Sequence, residues 1–287
     1  MEKRIVVGRL VIQKQHKWYA DAYHLLIYIR VYSMKSYKGY LIDLDGTIFK
    51  GLDVIPGAKE FINKLKNKNI PYVFITNNSA LTAESLVNRL SKMGIPATKE
   101  NILTSSIATA KYLKQDTSNV TCFMIGEEGL SKALKDEEIE ISNHDVTHVV
   151  MGIDRQVTYE KLASAASYVR KGAHFISTNK DLAIPSDEGI IPGNGALTSV
   201  VTLSTGIKPL FMGKPAKSMI QIGLDMLNCS ADEVVLIGDN YFTDILGGIQ
   251  SGVDTAFVLT GIGKVTDIES SLKPTYVYED LFAHKII

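Results

Sequence analysis

The chain has 287 residues, more than one average domain, and 45% of them are hydrophobic, enough for a sizeable core plus a second unit. Its 31 basic and 31 acidic residues balance, which excludes a nucleic-acid partner held by bulk charge. The balance hides an asymmetry: residues 1–33 carry six Lys or Arg against two acids, leaving 25 bases and 29 acids on a mildly acidic remainder.

The first candidate element is Leu25-Leu26-Ile27-Tyr28-Ile29, but Asp21 and His24 precede it and Arg30 follows, so no run approaches the roughly 18 apolar residues of a membrane span. No small-residue cleavage site is evident. Residues 1–33 read as an extension upstream of the true start, with an amphipathic surface anchor as the other reading. No stable membrane insertion is expected. The only cysteines, Cys122 and Cys229, are compatible with a reducing, cytoplasmic location, where the sequons at Asn77, Asn119 and Asn228 carry no meaning.

The body opens with Tyr40-Leu41-Ile42-Asp43-Leu44-Asp45-Gly46-Thr47, an apolar strand that stops in two carboxylates one residue apart and then a glycine. In an extended chain alternate side chains share a face, so Asp43 and Asp45 are expected to lean toward one point at the strand's carboxyl end. Like charges so close call for a cation or a shared proton, and that suits a metal-assisted nucleophile. A helix is predicted over 58–68, with Pro56 near its start, and others over 83–93, with Thr82 as N-cap, and over 107–114. Between the first two, Val73-Phe74-Ile75 reads as a strand ending in Thr76-Asn77-Asn78-Ser79, short donors suited to phosphate oxygens.

After the polar link Gln115-Asp116-Thr117-Ser118-Asn119 a fresh series of strands and helices begins, at 120–125, 148–151, 159–169 and 174–177. His148 and His174 precede apolar strands and read as packing or solvent-facing residues, and Asp154-Arg155 as an exposed ion pair. Gly193-Asn194-Gly195 reads as a helix entry that needs glycine, being a weak dinucleotide signal. The chain returns to the first unit near Gly206-Ile207-Lys208-Pro209, reaches Gly213-Lys214-Pro215, and runs through the strand Val234-Val235-Leu236-Ile237 into Gly238-Asp239-Asn240-Tyr241-Phe242-Thr243-Asp244. Alternating strands and helices predict an α/β doubly wound parallel sheet, in which strand ends lie side by side and ligands bind in the crevice outside them.

With these motifs in this order, residues 38–280 resemble the haloacid dehalogenase (HAD) superfamily of phosphatases, and within it the NagD-like, nitrophenylphosphatase-type branch. The resemblance implies a Rossmann-like core with an inserted α/β cap of type II: core at 34–116 and 207–287, cap at 117–206. It implies Asp43 as the nucleophile that forms an aspartyl-phosphate, and Asp45 as the acid that protonates the leaving oxygen and then the base that activates water. Mg²⁺ is the implied cofactor, held by Asp43, the backbone carbonyl of Asp45 and Asp239. Asp244 either orients that shell or serves as a helix N-terminal carboxylate. Thr76, Asn77, Asn78 and Lys214 are the expected phosphate ligands, Lys214 as a point cation. A carboxylate meeting a phosphate dianion faces about 4 kcal/mol of repulsion per charge pair at 4 Å and an effective dielectric near 20, so both cations have work to do.

Substrate recognition is expected in the cap, where the loop Thr178-Asn179-Lys180-Asp181-Leu182-Ala183-Ile184-Pro185 offers Asn179, Asp181 and Ile184 as candidates for contacts with the leaving group. The expected activity is a Mg²⁺-dependent phosphoric monoester hydrolase acting on small phosphorylated metabolites, sugar or sugar-acid phosphates first. The alternatives are a nucleoside monophosphate phosphatase and a non-catalytic sensor of phosphorylated ligands. A P-loop kinase or ATPase is excluded, because no G-x-x-x-x-G-K-[ST] occurs. Caps of this kind often pair, so a homodimer is expected.

Overall fold

The computed structural model describes residues 35–115, 119–186 and 189–282. Residues 1–33, expected to be an extension, lie outside the described residues.

Strand β1 (Gly39–Asp43) is buried at every position. A two-residue hairpin, β2 (Phe49–Lys50) with β3 (Asp53–Val54), follows it, then β4 (Tyr72–Thr76) and β5 (Ile102–Thr104). The chain crosses to a second sheet, with β6 (Thr121–Ile125), β7 (Glu140–Ile141), β8 (His148–Met151) and β9 (His174–Ser177). It then forms an antiparallel ribbon, β10 (Ala183–Ser186) with β11 (Gly189–Pro192). A further strand, β12 (Leu210–Phe211), precedes the return to the first sheet as β13 (Val234–Gly238), β14 (Asp254–Val258) and β15 (Tyr276–Tyr278).

The first sheet has the order β15-β14-β13-β1-β4-β5, all parallel. From β1 the chain builds outward to β4 and β5, and later to the other side through β13, so the topological switch falls beside β1, where the crevice for a ligand opens. Both faces are covered. Tyr40, Ile42, Tyr72, Phe74, Val235 and Ile237 pack into one apolar cluster, whereas Leu41, Val73, Ile75, Val234 and Leu236 pack into another. That period of two is why these runs carry no polar residue until their ends.

The second sheet, of order β12-β9-β8-β6-β7, is also parallel and has its own clusters on its two faces. The chain is thus a doubly wound α/β core with an inserted α/β cap. Past the boundary expected at 206/207 the second sheet still gains a strand, since Leu210 and Phe211 pair with Ile176 and Ser177 and Met212 N donates to the Ser177 carbonyl. A two-residue strand leaves no periodicity in the sequence.

Helix Ala58–Asn67 and helix Ala83–Lys92 occupy their expected places, and the Thr82 hydroxyl caps the second by accepting from Ser85 N at 3.1 Å. Helix Ser105–Lys114 starts two residues before the expected 107, capped by Thr104. Helix Asn194–Thr205 opens at Gly193, and side chains on Gly193 or Gly195 would collide with the carbonyls of Asp181 and Lys180. His148 and His174 stack on each other at 4.8 Å between ring centroids. Asp154 and Arg155 do not form the expected exposed pair with each other. Buried Asp154 pairs with Lys161, and Arg155 reaches Glu127.

Candidate active site

The register of the first sheet sets Asp43 beside Ile75 of β4 and one residue beyond the Ile42–Ile237 pair of β13, so Thr76 and Asp239 follow in the same row. Asp43, Asp239 and Asp244 are all buried, and each offers a carboxylate oxygen within 4.8 Å of the others. Asp244 comes into reach because the chain after Asp239 makes one wide helical turn over Tyr241–Ile245. The turn is closed by Asn240, whose backbone N–H donates to Asp244 Oδ2 at 3.0 Å.

Buried Lys214 sits among these acids. Its ammonium donates to Asp43 Oδ1, pairs with Asp244 Oδ1 at 2.6 Å and reaches the Ile75 carbonyl at 3.3 Å. Burial alone would lower its proton affinity, but Asp244 and Asp43 outweigh that and hold the ammonium above its ordinary range. Burial pushes the carboxyls of Asp43 and Asp244 up to about 7, against the pull of Lys214. Asp239 is raised to about 6 by burial and by its neighbour Asp244.

Three carboxylates against one ammonium leave two negative charges unpartnered in a dry place, and Asp43 Oδ2 has no hydrogen-bond partner. Hard oxygen donors with that charge excess fit a divalent cation such as Mg²⁺. Asp239 is fixed for the purpose. Its Oδ1 faces the Thr47 hydroxyl at 3.4 Å and its Oδ2 accepts from Ile262 N at 2.8 Å. Gly46, at φ 89°, is needed both for its left-handed turn and for space, since a methyl group there would lie 2.5 Å from the Asp239 carboxyl carbon.

Asp45 is not one of the three acids whose carboxylate oxygens gather within 4.8 Å of one another. The strand ends at Asp43, the chain turns as Thr47 and Ile48 donate to the Leu44 carbonyl, and alternation no longer applies. The Asp45 side chain is exposed beside the buried cluster, although crowding by the surrounding protein still raises its carboxyl above the ordinary value, against Arg89 and Lys214.

The loop after β4 is held by its own side chains. Thr76 Oγ1 accepts from Asn78 N, and Asn78 Oδ1 accepts from Ala80 N and Leu81 N, so the Asn78 side-chain oxygen holds the turn. Asn77 Nδ2 donates to Asp181 Oδ2 at 3.1 Å and to the Lys214 carbonyl at 3.1 Å. Asn179 Nδ2 donates to the Asn77 carbonyl at 2.8 Å, Ile153 N to Ser79 Oγ at 3.0 Å, and Gly129 N to the Ala80 carbonyl at 2.8 Å. Residues 77–80 are therefore the seat of the cap on the core. Asn179 and Asp181 lie at that seat. Ile184, half-buried in the ribbon opposite Ile191, is not brought to it by any of these bonds.

Sequence reasoning missed Thr47, Arg89 and the Thr260-Gly261-Ile262-Gly263 loop. The signal for the last was two glycines straight after a buried strand. The Thr260 hydroxyl donates to the Gly46 carbonyl at 2.6 Å, and side chains on Gly261 or Gly263 would collide with Asp239.

Residues 40–140 match the model of the haloacid dehalogenase-like hydrolases, and residues 211–283 match a second, HAD-hydrolase-like model. The chain is 48% identical to an acid sugar phosphatase of Staphylococcus epidermidis, over 86% of this chain and 96% of the relative. It is 44% identical to the 5'-nucleotidase YutF of Bacillus subtilis, over 86% and 97%. Among solved structures, a double mutant of the thermostable NPPase from Geobacillus stearothermophilus is 45% identical, covering 87% of this chain and 98% of its own, with a TM-score of 0.82. The chain belongs to the haloacid dehalogenase-like hydrolase family.

Proposed function

We propose that this chain is a Mg²⁺-dependent phosphatase that hydrolyses small phosphate monoesters, sugar or sugar-acid phosphates first, through an aspartyl-phosphate on Asp43. The observation that carries the reading is the buried triad of Asp43, Asp239 and Asp244 around Lys214, with Asp43 Oδ2 unpartnered at the switch point of the sheet.

One carboxylate oxygen of Asp43 attacks phosphorus in line, and the bond to the leaving oxygen breaks as Asp45 gives that oxygen a proton. Asp45, now a base, takes a proton from water that attacks the acyl phosphate, releasing inorganic phosphate and restoring Asp43. Lys214 holds Asp43 in its ionised form and, by giving up one present partner, meets a phosphoryl oxygen. The Thr76 hydroxyl and the backbone at Asn77 complete the phosphate cradle in this reading. Asp43, the Asp45 carbonyl and Asp239 would hold Mg²⁺, which would supply positive charge to the phosphoryl oxygens. Asp244, both of whose oxygens are engaged by Lys214 and Asn240, orients the set.

The inserted unit is the cap that selects the leaving group, with Asn179, Asp181 and Ile184 as its candidate contacts. A nucleoside monophosphate substrate is the second reading, favoured by the likeness to a 5'-nucleotidase. Cytoplasmic location and pairing as a homodimer belong to the same proposal. Among the described residues no helix is long and apolar enough to cross a membrane.

Phosphate release from a panel of sugar phosphates, sugar-acid phosphates and nucleoside monophosphates, compared as kcat/KM with and without Mg²⁺ after chelation, tests the proposal. Release that needs Mg²⁺ and disappears in Asp43→Asn is the expected result. Binding of phosphorylated ligands without any turnover would instead make this a sensor.

A further inference from the structure

We propose that Arg89 is a positioning residue for Asp45, acting through the β2–β3 hairpin; the inference rests on the reading of Asp45 as the acid/base. Arg89 lies on helix Ala83–Lys92, which contributes nothing to the buried triad, yet its side chain crosses to the turn that follows β1. Its guanidinium carbon stands 4.0 Å from the centroid of the Phe49 ring, and its Nη2 donates to the Gly51 carbonyl at 2.6 Å. A planar guanidinium can stack by its face and donate by its edge at once, which a lysine cannot do.

Phe49 is fully buried and is the residue on which the Asp45 turn closes. Its carbonyl accepts from Gly46 N at 2.8 Å, its own N–H donates to the Leu44 carbonyl at 3.2 Å, and Asp45 bridges to it directly. The exposed Asp45 side chain must therefore be aimed by the backbone of this turn. The base of the hairpin is held by buried Phe49 and by Ile55 N donating to the Ile48 carbonyl at 3.0 Å, whereas Leu52 at its tip is 87% exposed and only two residue pairs join the strands. Arg89 fixes it at two points, the ring of Phe49 and the carbonyl of Gly51.

A cation in the last turn of a helix also has a plain structural use, stabilising the helix end, and the two roles part in leaving-group dependence. Nitrophenolate departs unprotonated, whereas an alkoxide needs the proton from Asp45. The experiment compares kcat/KM for p-nitrophenyl phosphate and ethyl phosphate in the wild type, Arg89→Met, Arg89→Lys and Asp45→Asn. Asp45→Asn is expected to lose about 100-fold on ethyl phosphate and far less on p-nitrophenyl phosphate. Arg89→Met follows the same pattern at about tenfold, a partial loss of the same acid catalysis. Arg89→Lys falls between Arg89→Met and the wild type, and keeps the test open if the Met variant does not fold. If Asp45→Asn discriminates between the two esters and neither Arg89 variant does, Arg89 has no positioning role while the acid assignment stands. If Asp45→Asn itself fails to discriminate, the acid assignment and this inference fall together.

Discussion

Lys214 and Asp244 pair at 2.6 Å with both side chains almost wholly withdrawn from solvent, although 29 residues separate them in sequence. The pair divides the work of one cation. Asp244 anchors the ammonium from one side so that its remaining reach is toward Asp43, the group that must stay ionised to attack.

Lys214→Met removes the ammonium that pairs with two of three buried acids. Urea denaturation of the metal-free protein at pH 7.5 should show a loss of about 3–5 kcal/mol, as when one partner of a buried pair is deleted. At pH 5, where the acids can protonate, the loss should shrink. Equal losses at both values would mean that the acids were not ionised at pH 7.5.

The metal-free wild type should lose stability as pH rises from about 4 to about 7. Asp43, Asp239 and Asp244 have folded-state proton affinities raised by burial above those of an unfolded aspartate, to about 7, 6 and 7. The folded chain thus binds more protons than the unfolded one across that window, and the stability they bring is lost as they leave. Mg²⁺ competes with those protons, so the rise in Tm on adding it should grow over the same window. A Tm gain independent of pH would place the ion elsewhere.

Gly46→Ala should cost about 1–3 kcal/mol for its left-handed backbone and, by pushing the Asp239 carboxyl aside, weaken Mg²⁺ binding as well. Magnesium titration followed by thermal shift checks both effects. Unchanged affinity would argue against Asp239 as a ligand.

Ser79→Ala removes the acceptor for the buried N–H of Ile153, a bond that ties the segment just after cap strand β8 to the core loop. The expected cost is about 1–3 kcal/mol, read by urea denaturation. The fall should come with a raised KM for substrates with large leaving groups and an almost unchanged value for p-nitrophenyl phosphate.

The parts of this molecule that the sequence made legible are those where local pattern and tertiary role coincide. Asp43 and Asp239 are visible because a fully buried parallel strand tolerates no carboxylate until it ends. Thr82 is visible because a cap precedes its helix. The setting of Asp45 is not legible by alternation, because the strand ends at Asp43 and Asp45 already belongs to the turn. The side chains of Asn77, Asn78 and Ser79 look like phosphate donors in one dimension, and only the fold shows that they also hold the loop and the seat of the cap. Arg89 left no trace, since one arginine in an amphipathic helix looks like any solvated charge until the hairpin folds against it.

Strand β12 runs at the edge of the second sheet, and only Met212 and Gly213 separate it from Lys214. A side chain at Gly213 would lie 2.6 Å from the Thr178 carbonyl, so the join itself is closely fitted. Anyone exchanging recognition modules among relatives to alter substrate range therefore has a practical constraint. A splice at 206 would sever a paired strand from its own sheet, whereas a donor segment carried through Met212 brings its edge along and leaves the ammonium with the recipient.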